Sequence, residues 1–178
     1  MIMDERYITH IKKAHQKLGI SESFIIKNNL CIQHEPETVV FVEMDCFGRI
    51  QRMEPNTANS WKKMKEAAMH DQVSLNIISA FRSVQDQILI IEKKLAKNIM
   101  IEDILTVSAP PGYSEHHTGT AVDISDGNHN ELIETFEQSN AFDWLTKNAK
   151  RFNFKLSYPR NNPFGIMYEP WHWKFHGS

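Results

Sequence analysis

The chain is poor in cysteine, has no run of like charge and has no long apolar stretch, and each absence removes a class of protein. No segment approaches the ~18 consecutive apolar residues of a membrane-spanning helix. Of 178 residues only two are cysteine, Cys31 and Cys46. They form no CxxC pair, so neither a disulfide framework nor a thiolate metal site is expected, and both are read as buried or half-buried thiols. The 22 acidic and 20 basic side chains nearly cancel, to a net charge of −2. With no block of one sign, no nucleic-acid or membrane partner is expected. Seven glycines and seven prolines leave no room for a low-complexity tract, and no repeat or linker is visible. The opening Met-Ile-Met-Asp-Glu-Arg carries charge where a signal peptide needs an apolar core, so a cytoplasmic location is expected.

An apolar content of 41% with 24% charged residues is that of an ordinary globular protein. At this length one domain, residues 1–178, should bury roughly 70% of its unfolded surface. Residues 4–18 read as a helix ending at Gly19, with Ile8, Ile11, Ala14 and Leu18 on one face. Val39–Met44 and Ile50–Met53 read as a hairpin about Phe47-Gly48-Arg49. A helix capped by Asn56 or Thr57 should run to about His70, with Trp61, Met64 and Ala68 at helical spacing. Strands are expected at 75–81, 121–125, 154–158 and 171–175, with helices at about 84–97 and 140–151. Short strands mixed irregularly with helices favour an α+β fold, a small and mainly antiparallel sheet flanked by helices. The motif-bearing core is about 56–178, with residues 1–55 a helix-plus-hairpin extension packed on it.

Chemistry concentrates in two segments, Ser114-Glu115-His116-His117-Thr118-Gly119-Thr120-Ala121-Val122-Asp123 and Tyr168-Glu169-Pro170-Trp171-His172-Trp173. A catalytic zinc ion takes three protein ligands and leaves a position open. His116, Asp123 and His172 would make such a set, with Glu169 as the acid/base beside it. Side chains alternate along a strand, so Asp123 should face away from the core side of Val122 and Ile124. His172 and Lys174 should likewise oppose Trp171, Trp173 and Phe175. Pro170 argues against a helical HExxH arrangement, so the ligands come from loop and strand ends. His10, His15, His34, His70, His117 and His129 read as surface or satisfied histidines. His176 shares the strand parity of His172.

These segments, together with Ser79-Ala80-Phe81-Arg82-Ser83 and Gln87, resemble the VanY-type D-alanyl-D-alanine carboxypeptidases. That zinc peptidase family includes VanX-like D,D-dipeptidases and L,D-carboxypeptidases. The three blocks stand in family order between residues 79 and 175. Phe81 stands where Tyr is usual, His117 where Gln is common and Lys174 where Arg is common; the Ser-x-His pattern and the spacing to Asp123 select His116 over His117. The resemblance implies a Zn²⁺ cofactor, an oxyanion-stabilising role for Arg82, and help from Gln87 and Ser114 in binding the terminal residue of the substrate.

For function, the resemblance sets the expectation of a zinc-dependent carboxypeptidase removing D-alanine from peptidoglycan stem peptides. A general D,D-activity in the cytoplasm would destroy the pentapeptide precursor of the wall. A cytosolic L,D-carboxypeptidase trimming tetrapeptides in murein recycling is therefore the leading reading. Alternatives are a D,D-carboxypeptidase or VanX-like dipeptidase, a phage-type endolysin (whose relatives usually carry Asp where Glu169 stands), and a non-catalytic module binding peptidoglycan peptides.

Overall fold

The computed structural model describes residues 5–128 and 132–177. Residue 4, where the first helix was expected to begin, and His129 lie outside the described residues. Helix α1 (Glu5–Leu18) buries Ile11, Ala14 and Leu18 as the periodicity requires, and ends at Gly19 with φ of +74°. The hairpin forms from β1 (Val40–Met44) and β2 (Ile50–Met53). Its turn is organised by the buried Asp45, whose Oδ1 accepts from the N–H groups of Phe47 and Arg49.

Helix α3 (Pro55–His70) starts slightly earlier than expected. Glu54, not Asn56 or Thr57, is its N-cap, accepting from both of their N–H groups, with Pro55 in the first turn. A carboxylate at this end also complements the helix dipole. Strand β3 (Asn76–Ser79) leads to α4 (Val84–Leu95), capped by Ser83. Strand β4 (Ala121–Ser125), α6 (Asn140–Asn148), β5 (Phe154–Leu156) and β6 (His172–Phe175) complete the expected elements.

Two short helices escaped the sequence reading, α2 (Glu22–Lys27) and α5 (Ile101–Val107). At six and seven residues they are too short to display a period, and α5 has no side-chain cap. The cysteines are a correction: Cys31 and Cys46 are both exposed. Cys46 sits in the turn that Asp45 turns inward to hold, which leaves its own side chain outside.

The main sheet has the order β3-β4-β6-β5, with every pairing antiparallel. One face of it supplies Ile77, Val122, Ile124, Trp173 and Phe175 to a core shared with Trp61 and Met64 of α3 and Trp144 and Leu145 of α6. A second core joins Ile11, Leu18 and Ile25 of the N-terminal helices to Val84, Ile88, Ile91 and Leu105 of α4 and α5. Among the described residues no helix is long and apolar enough to cross a membrane.

Candidate metal centre and active site

Strand register builds the site. Asp123 stands directly opposite His172 across β4 and β6, and opposite Ser79 across β3 and β4. Alternation sends all three away from the core face that carries Val122 and Trp173. Ser79 meets Asp123 because a bulge lies between Ile77 and Ser79, shifting the register by one residue.

His116 comes from a 3-10 turn, Glu115–Thr118, which ends at Gly119 in the left-handed region with φ of +66°. A side chain there would also meet the Glu54 amide nitrogen at 2.9 Å, so position 119 demands glycine twice over. His116 Nδ1–H donates to the Ala80 carbonyl at 2.7 Å, which leaves Nε2 directed at Asp123 Oδ2, 3.2 Å away. Ala80 in turn donates its N–H to Gln51 Oε1, and Gln51 Nε2 donates to Asp45 Oδ2. The N-terminal hairpin therefore braces the first ligand through its backbone neighbour.

His172 is held at both nitrogens: Nδ1 lies 3.0 Å from Asp123 Oδ1, and Nε2 lies 3.0 Å from Glu115 Oε2. Glu115 is fixed from the other side by Lys174 Nζ at 3.2 Å. A carboxylate on the outer ring nitrogen orients a metal-binding imidazole and raises its basicity. Burial alone would discharge His172, but the two carboxylates outweigh it and push its pKa up to about 10. Burial opposes the charge on Glu115 as well, and His172 with Lys174 overcomes it, holding Glu115 at about 2. Asp123 is driven far below the usual carboxylate range by the two histidines despite its burial. Burial keeps His116 neutral.

These three side chains offer ligand atoms all within 4.8 Å of one another, and all three are buried. Two imidazoles and one ionised carboxylate are the donor set of a three-ligand zinc site. A dication bound at this group would require His172 to be neutral.

The remaining expected residues gather around this group. The Glu169–His172 turn is closed by the His172 N–H donating to the Glu169 carbonyl at 3.1 Å; it sets Glu169 Oε2 3.8 Å from His172 Nδ1. Burial, reinforced by Asp123 against the pull of His172, raises Glu169 to about 7. Arg82 follows β3; its guanidinium donates to Ser79 Oγ at 2.8 Å and Gln87 Oε1 at 3.0 Å. Ser114, Arg82, Glu169 and the three ligands line one cleft of about 480 Å³.

Gln87 stands differently. It is 0% exposed, its Nε2 donates to the Ala109 carbonyl at 2.8 Å, and it lies behind Arg82 rather than on the cleft wall. His117 is a satisfied histidine, as expected. Its Nδ1–H donates to the Arg82 carbonyl, and its Nε2 accepts from the Gly112 N–H.

Among the residues of the site that went unread in the sequence are Glu115, Tyr158 and Lys94. Tyr158 lines the cleft with its ring 4.7 Å from that of His172, and burial keeps its hydroxyl protonated. Glu115 left one signal, a carboxylate adjoining the first ligand. Lys94 lies in a stretch of helix with nothing to mark it.

The model of the family described as VanY, D-alanyl-D-alanine carboxypeptidase, matches residues 50–178. The putative carboxypeptidase YodJ of Bacillus subtilis is 32% identical over 152 residues, 82% of this chain and 55% of its own length. The chain spans about half the length of the first curated relatives it matches. Among solved structures, the LdcB LD-carboxypeptidase superposes with a TM-score of 0.72 at 31% identity, covering 82% of this chain and 71% of the other. A VanY D,D-pentapeptidase variant from a VanB-type resistance cassette, in complex with Zn(II), gives 0.63 at 26% identity, covering 85% and 88%. With the buried ligand triad, the neighbouring carboxylate and arginine, and a family match over most of its length, the chain belongs to the VanY family of D-alanyl-D-alanine carboxypeptidases.

Proposed function

We propose that the protein is a zinc-dependent carboxypeptidase removing the terminal D-alanine of peptidoglycan stem peptides, with the L,D bond of the tetrapeptide as its leading substrate. The observation that carries this is the gathering of Glu169 and Arg82 into the cleft that holds the buried His116–Asp123–His172 group. Zinc held there supplies a Lewis acid and lowers the pKa of water toward 7. Glu169, largely buried beside this group, takes the proton of the attacking water and returns it to the departing amine nitrogen. Arg82 keeps its charge in a desolvated position, where it donates to the carbonyl oxygen as negative charge develops. Ser114 adds a hydroxyl to the cleft wall, and Gln87 steadies Arg82 from behind.

Likeness to the LdcB LD-carboxypeptidase supports the L,D preference. If the chain works in the cytoplasm, trimming tetrapeptides spares the pentapeptide precursor, which supports a place in murein recycling. A D,D-carboxypeptidase is the second reading, favoured by the family description and by the VanY structure bound to D-Ala-D-Ala.

Tetrapeptide, pentapeptide and D-Ala-D-Ala, each incubated with the zinc-loaded protein and followed by mass spectrometry with and without chelator, decide between these. Chelator-sensitive loss of D-alanine from the tetrapeptide alone is the expected result; cleavage of the pentapeptide alone establishes the second reading. Glu169→Gln should keep its zinc and lose about 10²–10⁴-fold in kcat. His172→Ala should lose zinc and activity together. Full zinc occupancy in that variant would remove the ligand assignment.

A further inference from the structure

A carboxypeptidase must hold a free terminal carboxylate at a set distance from the bond it cuts, and a cation on the cleft wall is the means. Among the described residues one arginine and one lysine line this cleft, Arg82 and Lys94. Arg82 is committed to the reacting centre: Ser79 and Gln87 fix its guanidinium, and the charges it feels most strongly are those of Asp123 and Glu169. Lys94 has no such commitment. Its ammonium donates to the neutral Ser108 Oγ at 2.7 Å, and among the described residues no carboxylate ion-pairs with it. It is nevertheless half-buried, with Ile90 and Val107 on the same wall. That burial, with the like charge of Arg82 and against the pull of Glu169, pushes its pKa down. A half-desolvated ammonium whose attractive charge, Glu169, is not in ion-pair contact is costly, and an arriving carboxylate offsets the cost.

The helix sets the spacing. Lys94 lies two turns beyond Gln87 on α4, about 10 Å along the axis, and Gln87 holds Arg82. Helical side chains lean toward the N-terminus, so the four-carbon stem of Lys94 carries its ammonium back toward Arg82. Both cations stand on the same cleft, near enough for the charge of Arg82 to act on Lys94.

We propose that Lys94, seated against Ser108, binds the α-carboxylate of the departing terminal residue and so makes the enzyme an exopeptidase. The inference rests on the carboxypeptidase reading above. The test compares wild type, Lys94→Met and Lys94→Arg on a D-alanine-terminated tetrapeptide and on its C-terminal amide.

Lys94→Met should raise KM for the acid about 10–100-fold, the worth of one charge-assisted hydrogen bond. Its kcat should change no more than a few-fold, Lys94→Arg should restore most of the loss, and the amide should not respond to the substitution. Equal losses on acid and amide would overturn the proposal. So would a loss that tracks a side-chain carboxylate on the penultimate residue in place of the terminal one. Calorimetry of the zinc-loaded proteins with acetyl-D-alanine and its amide supplies a readout free of turnover. If wild type cleaves no stem peptide, the carboxypeptidase reading falls. Whether Lys94→Met weakens binding of acetyl-D-alanine, and not of the amide, then decides the carboxylate site separately.

Discussion

Replacing Gln87 separates two roles that the sequence alone could not tell apart. The family resemblance makes it a contact for the substrate's terminal residue, whereas its position makes it the support of Arg82. In Gln87→Met the chain length is kept, but two hydrogen bonds go. The acceptor for Arg82 is a bond to a charged donor, worth about 1.5–3 kcal/mol, and the Ala109 carbonyl left unpaired adds about 1–3 kcal/mol. With partial relaxation the loss is about 3–5 kcal/mol. For a chain of this size that lowers Tm by about 6–20 °C. The same change unseats Arg82. Removing an oxyanion donor costs about 10²–10³ in kcat, so misplacing one should cost about 10–100-fold, equally on acid and amide substrates. Gln87→Glu divides the two effects. Its carboxylate still accepts from Arg82 and preserves kcat, while it repels the Ala109 carbonyl and loses stability. Differential scanning calorimetry and steady-state kinetics on the zinc-loaded variants measure both. An unchanged Tm with a rise in KM alone would refute the support role and return Gln87 to the substrate.

His117 predicts a pH dependence of stability. Burial, against the hydrogen bond it donates to the Arg82 carbonyl, lowers its pKa to about 4, below an unfolded value of about 6.5. The unfolded chain therefore binds more protons between these values. The contribution is complete above 6.5 and is lost as pH falls to 4, reaching about 3 kcal/mol. Urea unfolding of wild type and His117→Gln should show the steeper acid slope in wild type, and parallel profiles between pH 7 and 5 would exclude the assignment. Gly112 predicts a steric effect. A Cβ there meets Ile11 Cδ1 at 2.4 Å, at φ of +84°, so Gly112→Ala should cost about 2–4 kcal/mol from overpacking and backbone strain combined. Gly48→Ala, with φ of +74° and open space around it, should cost only about 1–2 kcal/mol. Equal losses in thermal unfolding would mean that α1 yields at Ile11 without resistance.

The meeting of His116, Asp123 and His172 was legible because its geometry is carried by strand parity and one obligatory glycine. Asp123 must oppose the face of Val122 and Ile124, and His172 that of Trp173 and Phe175. Once β4 and β6 pair, register alone brings the two ligands together. Elements of ten residues or more were readable for the same reason, since a period needs length to show. Helices α2 and α5 are too short for one. The Glu54 cap was hidden by better cap formers just after it, and the outward cysteines by a turn whose inward residue is an aspartate. Apolar periodicity carries no account of a buried polar side chain such as Asp45, whose burial depends on partners four and six residues away.

The unread part of the site has a different cause. Asp123 and His172 belong to the sheet and His116 to the turn just before β4, whereas the cleft wall is assembled from α4, the end of α5 and the segments at Leu132 and Ile166. Ser108 reaches Lys94 only because α5 packs on α4 through the second core, in which Ile104 and Leu105 meet Ile88 and Ile91. No spacing within a single segment encodes that meeting. The two halves of the site can therefore vary separately. On the proposed reading, a change at His116, Asp123 or His172 should remove the metal chemistry itself, while a change at Lys94 or Ser108 should leave the chemistry in place and alter which chain end is admitted. On that reading the admission of a free chain end is a property of helix packing on the cleft side.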